Sequence, residues 1–362
     1  MKKVLFFGTT YIYGGIGHLI FDIINTLDKN KFKVDVMYYD YPSDEEMELL
    51  KKVGISFIKV GKYSRNPIEF VKTIRKHFSE THYDIIHIHA NTSASILYAF
   101  PLFHNDNTKI VYHSHTDKTT GLFNIIAHTL FKGLMNRYSD VKIAISQQAA
   151  KHMYGKKYKE AIFLRNGINE ELYSFNLSER TRLRAELGLN DKIIIGNVGR
   201  IEYPKNNLFM LDVFKKVLET KANAVFVMIG CGDDEQQVKA HSVELGISEK
   251  VFLLGPSNEA YKYYNMFDCF LFPSLHEGLG IVAIEAQANG LPVVASSSVP
   301  KETKISNIIK YLSLDEDIQE WANAVNNYLD MDINRIEYKN CIRESHFSIY
   351  DATYELERIY EK

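Results

Sequence analysis

Short runs of apolar residues alternate with longer stretches in which apolar residues recur at helical spacing. In the first half, the short runs predict strands at Lys3–Gly8, Phe32–Tyr39, Ser56–Val60, Tyr83–His89 and Lys109–His113. The longer stretches predict helices at 19–27, Asp44–Val53, Pro67–Ser79 and Ser93–Phe100. Strands that alternate with helices in this way indicate a parallel sheet with helices on both faces.

The same pattern restarts after residue 191. It predicts strands at 193–199, 224–229, 250–254, 269–272 and 292–295, with helices at 206–220, 234–245 and 280–289. We therefore predict an α/β protein with two doubly wound domains, residues 1–170 and 171–349, facing each other across a cleft. A charged segment near residues 170–190 is the predicted linker. In such sheets the ligand lies beyond the carboxyl ends of the strands.

Composition narrows the class of protein. The chain has 362 residues, 46% hydrophobic and 24% charged, with a net charge of −2, which excludes a disordered protein and argues against a general nucleic-acid binder. Three separated cysteines make neither a disulfide framework nor a cysteine zinc site. The apolar run near the N-terminus is too short for a signal peptide, and no run approaches 18 residues. We expect a cytoplasmic protein.

Charge is shared unevenly between the two halves. Residues 1–169 hold 23 basic and 15 acidic side chains, a net charge of +8, and the remainder holds 20 and 30, a net charge of −10. Solvated helix faces explain such an imbalance without any function. The functional alternative is a first half that contacts an anionic surface, such as a membrane leaflet or a phospholipid-linked acceptor.

The most informative segment for chemistry is 273–286, where a strand ends, a loop carries Glu277, and a helix begins. Gly278 and Gly280 leave backbone amides uncovered at the helix N-terminus, which suits an anionic or hydroxyl-rich ligand. Glu285 falls about one and a half turns inside the helix, so the two carboxylates can hold different parts of one ligand. By spacing alone, a plain strand–turn–helix with Glu277 near the helix N-terminus is the favoured explanation.

Two cations and a glycine pair mark two further loops. Arg200 and Lys205 follow a strand end and suit a diphosphate, although an isolated pair of surface cations has the same spacing. Gly14 and Gly15 allow close backbone approach to a ligand, or form only a tight turn. Ile20 stands where a dinucleotide fingerprint needs a third glycine or alanine, which argues against a nicotinamide enzyme.

Histidines occur as two His-x-His pairs, His87/His89 and His113/His115. Residues i and i+2 of a strand share a face, so zinc binding is conceivable. Because no third ligand is evident in the sequence, we expect core histidines at a strand end and no metal.

The segment Pro-Ser-x-x-Glu-Gly-x-Gly…Glu-Ala…Gly-Leu-Pro-Val-Val-Ala, starting at Pro273, resembles the signature of glycosyltransferase family 4, the retaining enzymes of GT-B fold, in its exopolysaccharide and capsule branch. The resemblance covers nearly the whole chain. The other matching segments are, in chain order, Gly14-Gly15, Asp84-Ile85-Ile86-His87-Ile88-His89, Asn166-Gly167-Ile168 (with Asn169 replacing the family's aspartate), Gly199-Arg200 with Lys205-Asn206, and Ile229-Gly230-Cys231-Gly232.

The resemblance implies a role for each matching residue. Arg200 and Lys205 would hold the donor's β-phosphate and stabilise the leaving group, and Glu285 would bind the ribose hydroxyls. Glu277 would bind the transferred sugar, with backbone amides of Gly278, Leu279 and Gly280. Further implied contacts are Gly14 and Gly15 on the donor, His115 (or else His113) as a catalytic hydrogen-bond partner of the sugar, and His89, Ser146 and Asn166 on the acceptor side. Ser146 is equally well explained as a helix N-cap.

The implied activity is retaining sugar transfer without a metal or other cofactor. The expected donor is a UDP-hexose or UDP-N-acetylhexosamine, and the expected acceptor is a glycan or lipid-linked oligosaccharide of bacterial surface polysaccharide synthesis, at the inner face of the membrane. The C-terminal helix, 350–362, would complete the first domain. Two other functions share the fold: a nucleotide-sugar 2-epimerase and a non-catalytic partner subunit.

Overall fold

A computed structural model describes residues 1–9, 15–38, 48, 55–61, 65–102 and 107–362. These form two compact units: the first contains Met1–Gly167 and Ile349–Lys362, and the second contains Ile168–Ser348. Gly14 and the predicted helix Asp44–Val53, apart from Glu48, lie outside the described residues.

Strands of the first unit form one parallel sheet in the order β3-β2-β1-β4-β5-β6-β7. Successive strands are added on one side of β1 as far as β3 and then, from β4 onward, on its other side. The position between β1 and β4 is the topological switch point, next to which such sheets bind ligands. The strands are β1 (Lys2–Thr9), β2 (Phe32–Tyr38), β3 (Ser56–Lys59), β4 (Ile85–Ala90), β5 (Lys109–Ser114), β6 (Val141–Ala144) and β7 (Ile162–Phe163).

Helices cover both faces of this sheet, and two of them begin at a side chain that caps the helix. Asn66 Oδ1 accepts a hydrogen bond from the Glu69 amide at 3.1 Å, and Pro67 occupies the first helical position, so α2 starts there. The helices are α1 (Gly15–Thr26), α2 (Pro67–Glu80), α3 (Leu122–Tyr138) and α4 (Gln147–Tyr154), with 3₁₀ helices at Ser93–Leu102 and Gly155–Glu160.

The C-terminal helix, Ile349–Glu361, packs against α1 in the first unit. The hydroxyls of Thr353 and Thr26 lie 2.6 Å apart, and Leu356 is fully buried. Tyr360 is also fully buried, and its hydroxyl lies 2.6 Å from His87 Nδ1 on β4. The last residues of the chain thus belong to the core of the unit that contains its first strand.

The second unit repeats the arrangement with the strand order β10-β9-β8-β11-β12-β13, again parallel. The prediction of two doubly wound α/β domains is therefore confirmed. The strands are β8 (Ile193–Val198), β9 (Ala224–Ile229), β10 (Val251–Leu253), β11 (Cys269–Phe272), β12 (Val293–Ser296) and β13 (Ile309–Leu312). The helices are α5 (Glu170–Tyr173), α6 (Leu177–Glu186), α7 (Asn207–Val217), α8 (Glu235–Glu244), α9 (Ala260–Tyr263), α10 (Ile281–Ala288), α11 (Ile318–Leu329) and α12 (Cys341–Glu344), with 3₁₀ turns at Tyr203–Lys205, Ser248–Lys250, Tyr264–Met266, Lys301–Thr303 and Arg335–Asn340.

The predicted linker at residues 170–190 is wrong, because this segment forms α5 and α6 within the second unit. Its charges have structural partners. Arg184 donates to Asp268 at 2.6 Å and to the Met266 carbonyl at 3.0 Å. Arg180 pairs with the same carboxylate. A charged composition therefore marks a docked helix here rather than a solvated connection.

Two helices of the first unit differ from what the sequence pattern predicts, and each difference has a physical reason. The predicted helix Ser93–Phe100 is a 3₁₀ helix that extends to Leu102 and contains Pro101, which cannot donate a helical hydrogen bond. The sequence pattern does not predict helix α3, because its apolar residues lie on more than one face and give no single helical stripe.

Within the described part of the chain, no helix is long and apolar enough to cross a bilayer.

Candidate active site

Two backbone turns meet at the carboxyl ends of β8 and β9. The Ile201 amide donates to the Cys231 carbonyl at 3.0 Å, and the Gly199 amide donates to the Ile229 carbonyl at 3.0 Å. A Cβ on Gly230 would lie 1.9 Å from the Gly199 carbonyl oxygen, and one on Gly232 would lie 2.3 Å from that of Ile201. Only glycine permits this contact, which fixes the start of the loop that carries both cations.

Lys205 ends the short 3₁₀ turn that follows this loop. Its Nζ lies 2.5 Å from Glu277 Oε1, and the Ser274 hydroxyl donates to the same oxygen at 2.6 Å. The Leu275 amide donates to the Pro204 carbonyl at 2.9 Å, so the backbones of the two loops are also joined. The structure therefore brings two predicted site residues from segments 72 positions apart into direct contact.

Arg200 lies on the same loop but is largely free of protein. Its side chain is 75% exposed, and its guanidinium contacts Glu202 at 2.8 Å. An exposed ion pair of this kind contributes little to stability. The guanidinium can therefore exchange this carboxylate for an anionic ligand at low cost.

The loop after Glu277 leads into α10, which begins at Ile281. Gly280 has a φ of +81°, and a Cβ there would lie 3.2 Å from side-chain atoms of Phe272 and Val299. Gly278 has open space around its Cα. Gly278 is exposed and Leu279 is half-buried, whereas Gly280 is buried. The three residues lie at a helix N-terminus, where partial positive charge accumulates.

Glu285, on α10, is held by two tyrosines that sequence reasoning missed. The Tyr264 hydroxyl donates to Oε2 at 2.6 Å and the Tyr173 hydroxyl donates to Oε1 at 2.9 Å. Burial raises the pKa of Glu285, and the two hydroxyls oppose that shift. Tyr264 stands in the Tyr261–Tyr264 run, which is visible in the sequence, but nothing in the sequence says which of its rings faces α10.

The remaining predicted residues lie in the first unit. Helix α1 begins at Gly15. Ser146 caps α4, because its Oγ accepts a hydrogen bond from the Ala149 amide at 3.1 Å, as the simpler of its two interpretations requires. Asn166 lies beside His115. The proposed contacts of these residues with substrate stay predictions.

Four histidines cluster at the ends of β4 and β5. His89 pairs with His113 across the two strands, and the His89 and His113 rings lie 5.3 Å apart. His87 Nε2 lies 3.3 Å from His113 Nδ1, and His89 Nδ1 lies 2.9 Å from His115 Nε2. Burial lowers the pKa of all four, that of His115 to about 3, so the cluster is neutral.

A metal could find ligands in this cluster. Ring nitrogens of His87, His89 and His113 lie within 4.8 Å of one another, so the argument that a third ligand is missing is wrong. Tetrahedral zinc at about 2.0–2.1 Å from each nitrogen needs ligand atoms about 3.4 Å apart. The imidazoles lie within hydrogen-bond distance of one another in pairs, but His89 Nε2, His113 Nε2 and His115 Nδ1 are buried without a hydrogen-bond partner.

Comparisons with known proteins give the family. The model of "Glycosyltransferase Family 4" matches residues 13–172, and that of "Glycosyl transferases group 1" matches residues 179–345. EpsF of Bacillus subtilis, named as a glycosyltransferase, is 26% identical over 338 residues, 90% of this chain and 87% of that protein. CapH of Staphylococcus aureus, named as a capsular polysaccharide biosynthesis glycosyltransferase, is 23% identical over 88% of this chain and 86% of its own.

Two further matches name small molecules. UDP-Gal:alpha-D-GlcNAc-diphosphoundecaprenol alpha-1,3-galactosyltransferase of Escherichia coli is 26% identical over 181 residues, 49% of this chain and 47% of that protein. The crystal structure of HepE from Anabaena in complex with UDP and glucose has a TM-score of 0.81 and 18% identity, covering 100% of both chains. At that identity the likeness concerns the fold.

Substitution of Gly230 tests the contact between the two turns. Gly230→Ala places a methyl group 1.9 Å from the Gly199 oxygen at a φ of +141°. We expect a loss of roughly 2–4 kcal/mol in the free energy of unfolding, from overpacking and backbone strain together. Urea unfolding measures it. Gly278→Ala is the matched control, since a Cβ there meets nothing within 4 Å. Equal stability of the two variants would contradict this account of the loop.

The buried histidines predict a loss of stability in acid. Their pKa values are lowered in the folded state, so below about pH 6.5 the unfolded chain binds protons that the folded chain does not. Stability therefore falls as the pH drops. Between pH 7.5 and 5.5, each histidine should lower the free energy of unfolding by about 1.4 kcal/mol. Urea unfolding of His87→Gln at both pH values should show a smaller loss than the native chain.

His241 supplies a control of opposite sign. Burial acts to lower its pKa, but hydrogen bonds to Asp212 and Glu244 dominate and raise it. A raised histidine pKa stabilises the folded state below pH 6.5 and loses this effect as the pH rises. His241→Gln should therefore lose more stability on acidification than the native chain does. If His87→Gln and His241→Gln changed in the same direction, the histidine cluster would not be neutral.

Proposed function

This chain belongs to glycosyltransferase family 4, and we propose that it transfers a hexosyl group, with retention of anomeric configuration, from a nucleoside-diphosphate sugar to a glycan or lipid-linked oligosaccharide. The contact between Lys205 and Glu277 carries the proposal. It places an ammonium and a carboxylate together at the carboxyl end of a doubly wound sheet, where one could meet a phosphate and the other a sugar hydroxyl.

The charges suit the departure of a diphosphate. As the bond from the anomeric carbon to the phosphate oxygen breaks, its electron pair stays on the nucleoside diphosphate. Lys205 and Arg200 stabilise that charge, and the cations are positioned before the reaction by the glycine contact. In the absence of donor, Glu277 and Glu202 neutralise these cations. No divalent metal is needed in this scheme.

The protein supplies the contacts for a front-face reaction. The acceptor oxygen bonds to the anomeric carbon on the face from which the diphosphate departs, and the acceptor proton passes to a leaving phosphate oxygen. Glu277 Oε1 already accepts hydrogen bonds from Lys205 and Ser274, which fits a sugar-binding carboxylate better than a covalent nucleophile. Glu285, with its two tyrosines, is suited to the ribose hydroxyls. His115, or else His113, is the proposed sugar contact in the first unit.

Relatives support the choice of substrates. The HepE crystal structure is of a complex with UDP and glucose. The name of the E. coli galactosyltransferase includes a UDP-sugar and a diphosphoundecaprenol-linked sugar. The name of CapH places it in capsular polysaccharide synthesis. We therefore propose a UDP-hexose or UDP-N-acetylhexosamine as donor and an acceptor of bacterial surface polysaccharide synthesis, used at the cytoplasmic face of the membrane.

Donor binding and turnover test this function. In a thermal-shift screen of nucleotide sugars, the true donor should raise the melting temperature by mass action. Arg200→Ala and Lys205→Ala should each reduce this shift. Each should also lower turnover by about 10²-fold or more, because a preorganised charge contact to the leaving group is lost. Sugar transfer to an acceptor is measured with the donor that the screen identifies.

Two other cations control for a general loss of charge. Lys216, on α7, pairs with Glu219 at 2.9 Å, and Arg182 pairs with Glu186 at 2.7 Å on α6. Lys216→Ala and Arg182→Ala should keep native turnover. Native rates in both Arg200→Ala and Lys205→Ala would refute the diphosphate assignment. Formation of an epimer from donor alone would favour the epimerase instead.

Metal removal tests the expected independence of a cofactor. We expect full activity after dialysis against EDTA, since two side-chain cations take the place of a metal at the diphosphate. The control is the same protein dialysed without chelator. If EDTA abolished activity and zinc restored it, the protein would need zinc. His87, His89 and His113 would be its candidate ligands, since their ring nitrogens lie near one another.

A further inference from the structure

The two ring nitrogens of His115, the candidate sugar contact in the first unit, have different surroundings. Nε2 lies 2.9 Å from His89 Nδ1, so it already takes part in a hydrogen bond. Nδ1 is buried and has no hydrogen-bond partner among the described residues. Nδ1 is therefore the nitrogen that is left for a substrate. Whether it donates or accepts depends on which nitrogen of the ring carries the proton.

Asn166 favours a proton on Nδ1 of His115. It lies beside His115, and its Oδ1 is also buried without a hydrogen-bond partner. An amide oxygen only accepts hydrogen bonds, so it stabilises an N–H group of its neighbour. With that proton on Nδ1, Nε2 of His115 is an acceptor, and His89 must donate to it from Nδ1. Burial lowers the pKa of His89, so its imidazole is neutral and has one proton, which leaves its Nε2 bare.

A second series of hydrogen bonds starts at Tyr360, on the C-terminal helix. Among the described residues, the partner of its buried hydroxyl is His87 Nδ1, at 2.6 Å. If the hydroxyl accepted this hydrogen bond, its own proton would be buried without an acceptor, so Tyr360 donates. His87 then carries its proton on Nε2 and donates it to His113 Nδ1, which lies 3.3 Å away. The proton of His113 is thereby placed on Nε2.

The two series fit each other at His89 and His113. These residues pair across β4 and β5, and their ring centroids lie 5.3 Å apart. The first series leaves a lone pair on His89 Nε2, and the second leaves a proton on His113 Nε2. Both atoms are buried and without a hydrogen-bond partner in the described part of the chain. Protons on both would bury two unpaired N–H groups, each at a cost of about 1–3 kcal/mol. Each series therefore favours the proton positions that the other requires.

We propose that Tyr360, His87, His113 and His89 are positioning residues that keep the proton of His115 on Nδ1, from which it donates a hydrogen bond to an oxygen of the transferred sugar. This proposal rests on the proposed function, in which His115 contacts that sugar. It adds the direction of the hydrogen bond. It also gives the C-terminal helix a role in the site, because this helix supplies the first donor of the series.

Proton positions are measured by long-range proton–nitrogen NMR of the full chain with isotope-labelled histidine, in which protonated and bare ring nitrogens give separate signals. Spectra of His113→Gln and His115→Gln assign them. The native protein should carry its proton on Nδ1 of His115 and on Nε2 of His113. Tyr360→Phe should abolish the preference at His113, because the donor that sets it is lost. A proton on Nε2 of native His115 would overturn the proposal, and so would an unchanged His113 in Tyr360→Phe.

Tyr154→Phe is the matched control for Tyr360→Phe. Tyr154 is also a buried tyrosine of the first unit, but its hydroxyl contacts the backbone carbonyls of Tyr112 and Ile143 at 2.7 and 2.6 Å. Loss of this hydroxyl should leave the proton positions of the histidines as they are. An equal effect of both variants on His113 would mean that the change reflects general loosening of the unit, which contradicts the proposal.

Sugar-transfer kinetics give an independent measurement. His89→Leu removes the donor to His115 and should lower kcat/KM about tenfold, as expected for the loss of one hydrogen bond. The rate is measured as UDP release from UDP-glucose, UDP-galactose or UDP-N-acetylglucosamine, whichever the native chain uses fastest. His89→Asn, whose side-chain amide can replace Nδ1–H, should recover most of the rate and keep the proton of His115 on Nδ1. Native kcat/KM in His89→Leu would overturn the proposal.

The outcomes separate this proposal from the proposed function. A thermal shift with UDP that is the same in His89→Leu and in the native chain would show that the variant is folded and still binds the nucleotide. A lower rate in that variant then reports on the sugar contact. If the native chain released UDP from none of the three donors, the proposed function would fail, while the NMR signals would still confirm or contradict the proton positions.

Discussion

The contact between the turns at Gly199–Ile201 and Gly230–Gly232 is the constraint on which the candidate site depends. Two parallel strands end side by side, and their turns touch backbone to backbone because no Cβ intervenes. The loop that leaves this contact is joined to the loop after β11, because the Leu275 amide donates to the Pro204 carbonyl. Lys205 and Glu277 meet as a result. Backbone contacts between neighbouring loops therefore support the side-chain contact at the candidate site.

The strand ends of the two units differ in charge: those of the second unit carry ion pairs, and those of the first carry neutral histidines. In the second unit, cations at the strand ends are balanced by acids that a ligand could displace, and Glu285 is held by tyrosine hydroxyls. In the first unit, the corresponding strand ends carry four imidazoles that burial keeps neutral. Exchangeable ion pairs suit the binding of a diphosphate, whereas neutral imidazoles suit hydrogen bonds with hydroxyl groups. This division agrees with a donor site in the second unit.

Helix α3 carries apolar residues on its exposed side as well as on its buried side. A helix that packs on one side and faces water on the other shows a clear stripe of apolar residues. Helix α3 is apolar on its buried side at Ala127 and Met135 and on its exposed side at Leu122 and Leu130. The apolar residues therefore show no single helical periodicity, and the sequence pattern does not predict the helix. The same doubling leaves an apolar face without a protein partner among the described residues.

Local patterns along the chain are enough to predict the alternation of strands and helices, the two-domain α/β class, and the segments that hold the chemistry. These follow from local periodicity and from motifs whose residues are close along the chain, such as Glu277 and Glu285. Three features are visible only in the folded chain: α5 and α6 belong to the second unit, Tyr173 and Tyr264 hold Glu285, and four histidines on two strands form one cluster. Each of these joins residues far apart in sequence, and the contact depends on strand order and side-chain direction, which no local pattern records.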